Sequence, residues 1–225
     1  MTTLAPEKRK CFICGTINNY CIVTSTNAFG PCDLDTRPPG MQRNTMPYWI
    51  QSCPSCGYVS KRISDRTSVN IKFLESEQYC FCDGITFKSD LARDFYRYHL
   101  ILLKEGKGEE AFKALLHASW ACDDSDDVHN AALVRETAIK LVENLLSGPL
   151  AGNDTLSVVC ADMMRRASHF QELLEKYKDI RYSADLLNQI LDYEKALANR
   201  KVSDRRTVQD AITYTTGNKP DQPYI

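Results

Sequence analysis

The chain has 225 residues, of which 28 are Lys or Arg and 29 are Asp or Glu, so its formal net charge is −1. This length fits one large domain or two small ones, and a hydrophobic content of 43% excludes a globally disordered chain. No apolar run approaches the roughly 18 residues of a membrane span, and the charged start of the chain does not resemble a signal peptide, so we expect a cytoplasmic protein without a membrane partner.

Cysteines and charge are both distributed unevenly along the chain. Six of the ten cysteines lie within the first 56 residues, and clustered cysteines in a reducing compartment indicate metal binding or redox chemistry. Residues 1–66 carry a net charge of +4, whereas the other 159 residues carry −5. The sequence therefore predicts two domains of different character, with the boundary near residue 66.

Two copies of a Cys-x-x-Cys-Gly motif lie in the first domain, at residues 11–15 and 53–57. Each pair can turn two sulfurs toward one ion, and the glycine permits a left-handed turn after the second cysteine. Four thiolates form the closed ligand set of one structural Zn²⁺. The predicted ligands are Cys11, Cys14, Cys53 and Cys56. A thioredoxin-type redox pair is the weaker alternative, because neither motif is followed by a helical pattern.

The chain around these motifs is predicted to form short strands. Segments rich in β-branched and aromatic residues lie at 20–26, 48–52 and 58–63, with turn residues at their edges. Strands beside cysteine knuckles are typical of a zinc ribbon, in which metal binding and folding are one event. Residues 1–66 are therefore predicted to be a small, β-rich zinc-ribbon-like domain.

Four further cysteines, Cys21, Cys32, Cys80 and Cys82, lack the spacing of a metal knuckle. They are interpreted as buried small apolar residues, and a second metal site is the alternative.

A loop rich in proline and charge lies between the two motifs. It contains Asp33, Asp35 and Arg37, followed by Pro38 and Pro39. The favoured interpretation is that the two aspartates make local turn hydrogen bonds and Arg37 pairs with one of them. The alternative is a polar recognition site beside the zinc.

Three segments carry a resemblance to a known family. These are Asp-Leu-Asp-Thr-Arg-Pro-Pro at 33–39, Cys-Pro-Ser-Cys-Gly-Tyr at 53–58 and Ala-Ser-Trp-Ala-Cys-Asp-Asp at 118–124. The chain resembles the bacterial proteins grouped as domain of unknown function 2225. The resemblance implies a Cys-x-x-Cys motif and an aspartate-rich loop before a second knuckle, followed by a helical region. It implies no activity.

From Thr67 onward the apolar pattern has the 3.6-residue period of helices. Ser68 is expected to cap a short helix in a connector over 67–88, and Ser89 to cap the next helix. Further helices are predicted after Gly106-Lys107-Gly108, over 127–147, over 155–166, from a capping box at Ser168 to residue 176, and from Ser183. In the last of these, Glu194 shares the apolar stripe with Ile190 and Leu197.

The fold class predicted is α+β, with the ribbon followed by an all-α domain of helical hairpins over 89–216 and a loose tail over 217–225. The hairpin domain is predicted to be tetratricopeptide-like. The residues at this repeat's spacing are Phe95, Leu102, Ala111, Leu115 and Ala118.

The sequence is compatible with three functions. The favoured hypothesis is a non-enzymatic adaptor whose helical groove binds a protein or peptide. The residues predicted to line that groove are Arg93, Tyr96, Asn130 and Arg135. The first alternative is nucleic-acid binding by the basic ribbon. The second is an enzyme that uses Asp33, Asp35 and Arg37 beside the metal, although four thiolates leave no open zinc position.

Overall fold

The computed structural model describes residues 1–217. The predicted loose tail therefore lies outside the described residues except for Gly217. The described part is mixed, with ten α-helices and two small antiparallel sheets. The chain divides into two compact units, one formed by residues 1–29 and 40–134 and the other by 30–39 and the chain from Arg135 onward. The ribbon strands and the first long helices therefore share one unit.

The first unit begins with a two-stranded antiparallel ribbon. Strand β1 spans Thr3–Lys10 and strand β2 spans Ile17–Ser25, with Lys10 opposite Ile17. Strand β1 was not predicted, because Ala, Pro, Glu and Lys are poor strand formers and only pairing with β2 makes this segment extended. Strand β2 begins earlier than the predicted strand over 20–26.

The second sheet is much smaller than the sequence predicted. After helix α1 (Gly40–Arg43) and a 3₁₀ turn (Met46–Tyr48), strand β3 spans only Gln51–Ser52 and pairs with β4 (Val59–Ser60). The predicted strands over 48–52 and 58–63 were too long, because a 3₁₀ turn precedes β3 and the second knuckle joins β3 directly to β4. A sheet of two such strands has little stability of its own.

The connector holds two short helices where one was predicted. Helix α2 spans Ile71–Leu74 and α3 spans Glu77–Phe81. The predicted cap, Ser68, is not used. The Asn70 side chain accepts the Phe73 N–H instead, and Ser76 caps α3.

Helices α4 (Asp90–Lys104) and α5 (Gly108–Asp124) form a hairpin in the first unit. Ser89 caps α4 by accepting the Ala92 N–H, as predicted. The five residues at tetratricopeptide spacing are all buried, which the predicted packing requires. The tetratricopeptide identity stays a prediction.

Five further helices complete the described chain. Helix α6 spans Val128–Leu146, α7 Asp154–Arg166, α8 Phe170–Lys176, α9 Asp185–Asn199 and α10 Val208–Thr216. The division between the two units falls within α6.

Two predictions in this helical region were wrong. Ser168 does not cap α8, because its φ of 67° is left-handed and His169 holds the cap position. Helix α10 was missed, although Thr207 and Asp210 form a capping box that could have indicated it.

The core of the second unit gathers side chains from the three helices α7, α9 and α10 and from the loop at 30–39. Its buried residues are Leu34, Val158, Ile190, Tyr193, Leu197 and Ala211. Leu34 is the loop's contribution, so the proline-rich loop is part of this core.

Candidate metal centre

The four cysteines of the two motifs meet in the first unit. The Cys11 and Cys56 sulfurs lie 3.7 Å apart, those of Cys14 and Cys53 lie 3.5 Å apart, and all four lie within 4.8 Å of one another. Tetrahedral zinc with Zn–S bonds of about 2.3 Å separates its sulfurs by roughly 3.8 Å. All four cysteines are free thiols. The sulfurs are therefore placed as a four-thiolate metal site requires.

The two knuckles have the same backbone hydrogen bonds. In the first, the Cys11 N–H donates to the Thr16 carbonyl at 2.8 Å, and the Gly15 N–H donates to the Cys11 carbonyl at 3.0 Å. In the second, the N–H groups of Cys53 and Gly57 donate the two corresponding bonds, at 2.8 and 2.9 Å. Gly15 and Gly57 have φ values of 76° and 70°, in the left-handed region that glycine adopts without strain.

Side chains outside the motifs hold the second knuckle. The Tyr79 hydroxyl donates to the Gly57 carbonyl at 2.6 Å, and the Tyr20 hydroxyl donates to the Ser52 carbonyl at 3.3 Å. Tyr79 is buried beneath the Arg97 guanidinium. The connector helix α3 and strand β2 therefore both fix the position of the site.

The environment of the thiols differs from one cysteine to another. Burial raises the pKa of the Cys11 and Cys56 thiols. The hydrogen bond between Cys14 and the Thr16 hydroxyl lowers the pKa of Cys14 to about 6. Because metals bind thiolates, an ion entering this site displaces protons, and acid opposes its binding.

The other predicted metal candidates do not join this cluster. Among the described residues, the side chains that lie close enough together to hold a metal ion are the four knuckle cysteines. Cys21 and Cys80 are exposed, Cys32 is half-buried and Cys82 is buried. Exposure of Cys21 and Cys80 does not fit the interpretation that all four are buried apolar residues.

The aspartate-rich loop belongs to the second unit and its charged side chains are buried. Asp33, Asp35 and Arg37 are each 2% exposed or less. One Asp35 oxygen accepts a local turn hydrogen bond from the backbone N–H of Arg37 at 3.2 Å. The other accepts from the Arg166 guanidinium at 3.1 Å. Asp33 lies 3.7 Å from Arg205. Buried and paired in this way, the two aspartates hold the loop in place and offer no open recognition surface.

Replacing Leu34 with alanine is expected to destabilise the second unit by about 2–5 kcal/mol, since a fully buried leucine leaves a cavity in a packed core. Chemical denaturation of the whole protein measures this loss. The matched control is Leu103→Ala on α4, where the side chain is 42% exposed. Equal stability of the two variants would contradict a core role for the loop.

Three of the four predicted groove residues are buried. The Tyr96 hydroxyl donates to Asp83 at 2.9 Å, and the Asn130 amide donates to the Thr86 carbonyl at 2.9 Å. Arg135 is 4% exposed, and Arg93, which pairs with Asp90, is half-buried. Burial gives these three side chains structural contacts, and the partner groove stays a prediction.

A buried charge network in the second unit was not predicted. Arg165, fully buried, pairs with Glu194 and with Asp162, and it also donates to the Val202 and Asp204 carbonyls. Burial, together with the nearby Asp162 carboxylate, raises the pKa of Glu194 well above its usual value. The sequence did carry a signal, since a glutamate within an apolar helical stripe requires a buried partner.

Comparison of the chain with protein-family models, with curated proteins and with solved structures found no match in any of the three. Within residues 1–217, no helix combines the length and apolar character needed to cross a membrane. The chemistry of the site itself is therefore the basis for a functional proposal.

Proposed function

We propose that Cys11, Cys14, Cys53 and Cys56 hold one structural Zn²⁺ and that the protein acts by binding rather than by catalysis. The observation that carries this proposal is the convergence of four free thiols to within 4.8 Å from two knuckles of identical backbone geometry. Zinc in structural sites is held by four such ligands at this spacing. The zinc-ribbon identity of this segment, and its resemblance to domain of unknown function 2225, are part of the proposal.

The ligand set supports a structural rather than a catalytic metal ion. Catalytic zinc keeps an open position for water or substrate, whereas four thiolates fill the tetrahedron. The two aspartates of the enzyme hypothesis are buried and lie close to arginines, which favours a structural role for the loop over acid–base chemistry. The protein- or peptide-binding adaptor role stays a prediction. The packed α4–α5 hairpin supports it, and the burial of three of the four predicted groove residues counts against that groove.

Metal analysis of the purified full chain tests the zinc proposal. We expect one zinc ion per chain, and cobalt substituted for it should show the intense thiolate-to-metal charge-transfer absorption of a four-sulfur site. Zinc-free protein with a folded ribbon, or a stable disulfide within either knuckle, would overturn the proposal.

A further inference from the structure

The surface around the first knuckle combines exposed cations with an exposed aromatic ring. We call this the knuckle face and define it by Lys8, Lys10, Phe12, Lys61 and Arg62. All five side chains are exposed, and Phe12 retains 43% of its surface although it is a large apolar residue. Single exposed apolar residues are common on protein surfaces, and what distinguishes Phe12 is the exposed cations that flank it.

The cations lie on two sides of Phe12. Lys8 and Lys10 are on the exposed face of β1. The turn with Lys61 and Arg62 lies toward the other face, where Arg9 and the Ile63 N–H both donate to the Gln51 side-chain oxygen. The Lys10 Cε lies 3.4 Å from where a Cβ on Gly15 would be, so this side chain lies over the knuckle. The Phe12 N–H donates to the Ile63 carbonyl at 3.0 Å, which places Phe12 beside the turn that carries Lys61 and Arg62.

The net charge around the knuckles is more positive than the division of the sequence at residue 66 indicated. The loop at 30–39, with two aspartates and one arginine, belongs to the other unit. Residues 1–29 and 40–66 then hold seven Lys or Arg against two Asp or Glu, a net of +5. Four thiolates and one zinc ion contribute −2, which leaves about +3. The pairing of Arg62 with Asp65, exposed and 4.0 Å apart, neutralises little.

We propose that the knuckle face binds single-stranded nucleic acid, with a base stacked on Phe12 and adjacent phosphates bound by Lys8, Lys10, Lys61 and Arg62. Stacking on an aromatic side chain requires an unpaired base and tolerates any base, because every base has a π-face. Cations beside the ring complement the phosphates on either side of the stacked nucleotide. This inference goes beyond the metal proposal and rests on it, since the metal fixes the knuckle that carries Phe12.

Fluorescence anisotropy of a labelled oligothymidylate of about 20 nucleotides, longer than typical single-strand sites, tests the inference on zinc-loaded full-length protein. Phe12→Ala should weaken binding about ten-fold. In the double variant Lys10→Ala/Lys61→Ala, the slope of log affinity against log salt concentration should become shallower by about 1.4. The matched controls are Phe81→Ala, at a residue 67% exposed, and Lys72→Ala with Lys104→Ala, which should bind like the unaltered protein.

Zinc content and melting temperature are measured for every variant, so loss of the metal is separated from loss of the binding face. A protein with a full equivalent of zinc that does not bind the oligonucleotide would overturn this inference and leave the metal proposal intact. Equal losses in the Phe12 and Phe81 variants would also overturn it. So would tighter binding to the matching duplex, or binding to phosphatidylserine vesicles in place of the oligonucleotide.

Discussion

Replacing Cys53 with serine is expected to abolish stoichiometric zinc binding and to unfold the segment that contains strands β1 to β4. Cys53 is buried, its sulfur lies 3.5 Å from that of Cys14, and within residues 1–217 no further metal-binding side chain joins the cluster. The strands beside the second knuckle, β3 and β4, have only two residues each. A structural zinc site contributes an apparent 10–16 kcal/mol, roughly, in small zinc domains at neutral pH. We therefore expect this part of the unit to depend on the metal more than on its own core.

Metal analysis and amide hydrogen exchange measure the two effects separately. In the Cys53→Ser variant, amides of β1 to β4 should lose their protection, while those of α9 and α10 in the second unit keep theirs. Cys21→Ser is the matched control, because Cys21 is an exposed cysteine on β2 outside the cluster. A Cys53→Ser protein that retains one zinc and protected ribbon amides would contradict the four-thiolate site.

Replacing Arg165 with methionine is expected to cost about 3–5 kcal/mol of stability, the loss typical of breaking a buried ion pair. The substitution leaves the buried Glu194 and Asp162 carboxyl groups without their cation. It also removes the two hydrogen bonds that Arg165 donates to the Val202 and Asp204 carbonyls, which hold the turn between α9 and α10. Methionine fills the volume but supplies none of these donors.

Urea denaturation of the whole protein measures this cost. Arg181→Met is the control, since Arg181 pairs with Asp192 at an exposed position, and its loss should stay below about 1 kcal/mol. Adding Glu194→Leu to Arg165→Met should recover part of the stability, because the buried charge that lost its partner is then absent. Equal costs for the Arg165 and Arg181 variants would show that the network contributes no more than a surface pair.

The metal site could be predicted from the sequence because its geometry is local. Two cysteines three residues apart, with a glycine after the second, can form only a few tight turns, and both knuckles adopt the left-handed glycine that the motif requires. The long helices were predicted for a similar reason, since a 3.6-residue period and a cap such as Ser89 act within one or two turns. That the two knuckles meet, over the 38 residues between them, was inferred from the ligand count.

The tertiary structure alone decided the role of the segments whose partners are distant in the chain. The sequence alone did not establish that Leu34 enters the core between α7, α9 and α10, or that Asp35 pairs with a residue 131 positions away. Strand β1, with poor strand propensity, is extended because β2 pairs with it. Local pattern determines which turns and helices a chain can form, whereas burial and long-range pairing determine which polar residues face solvent and remain able to bind.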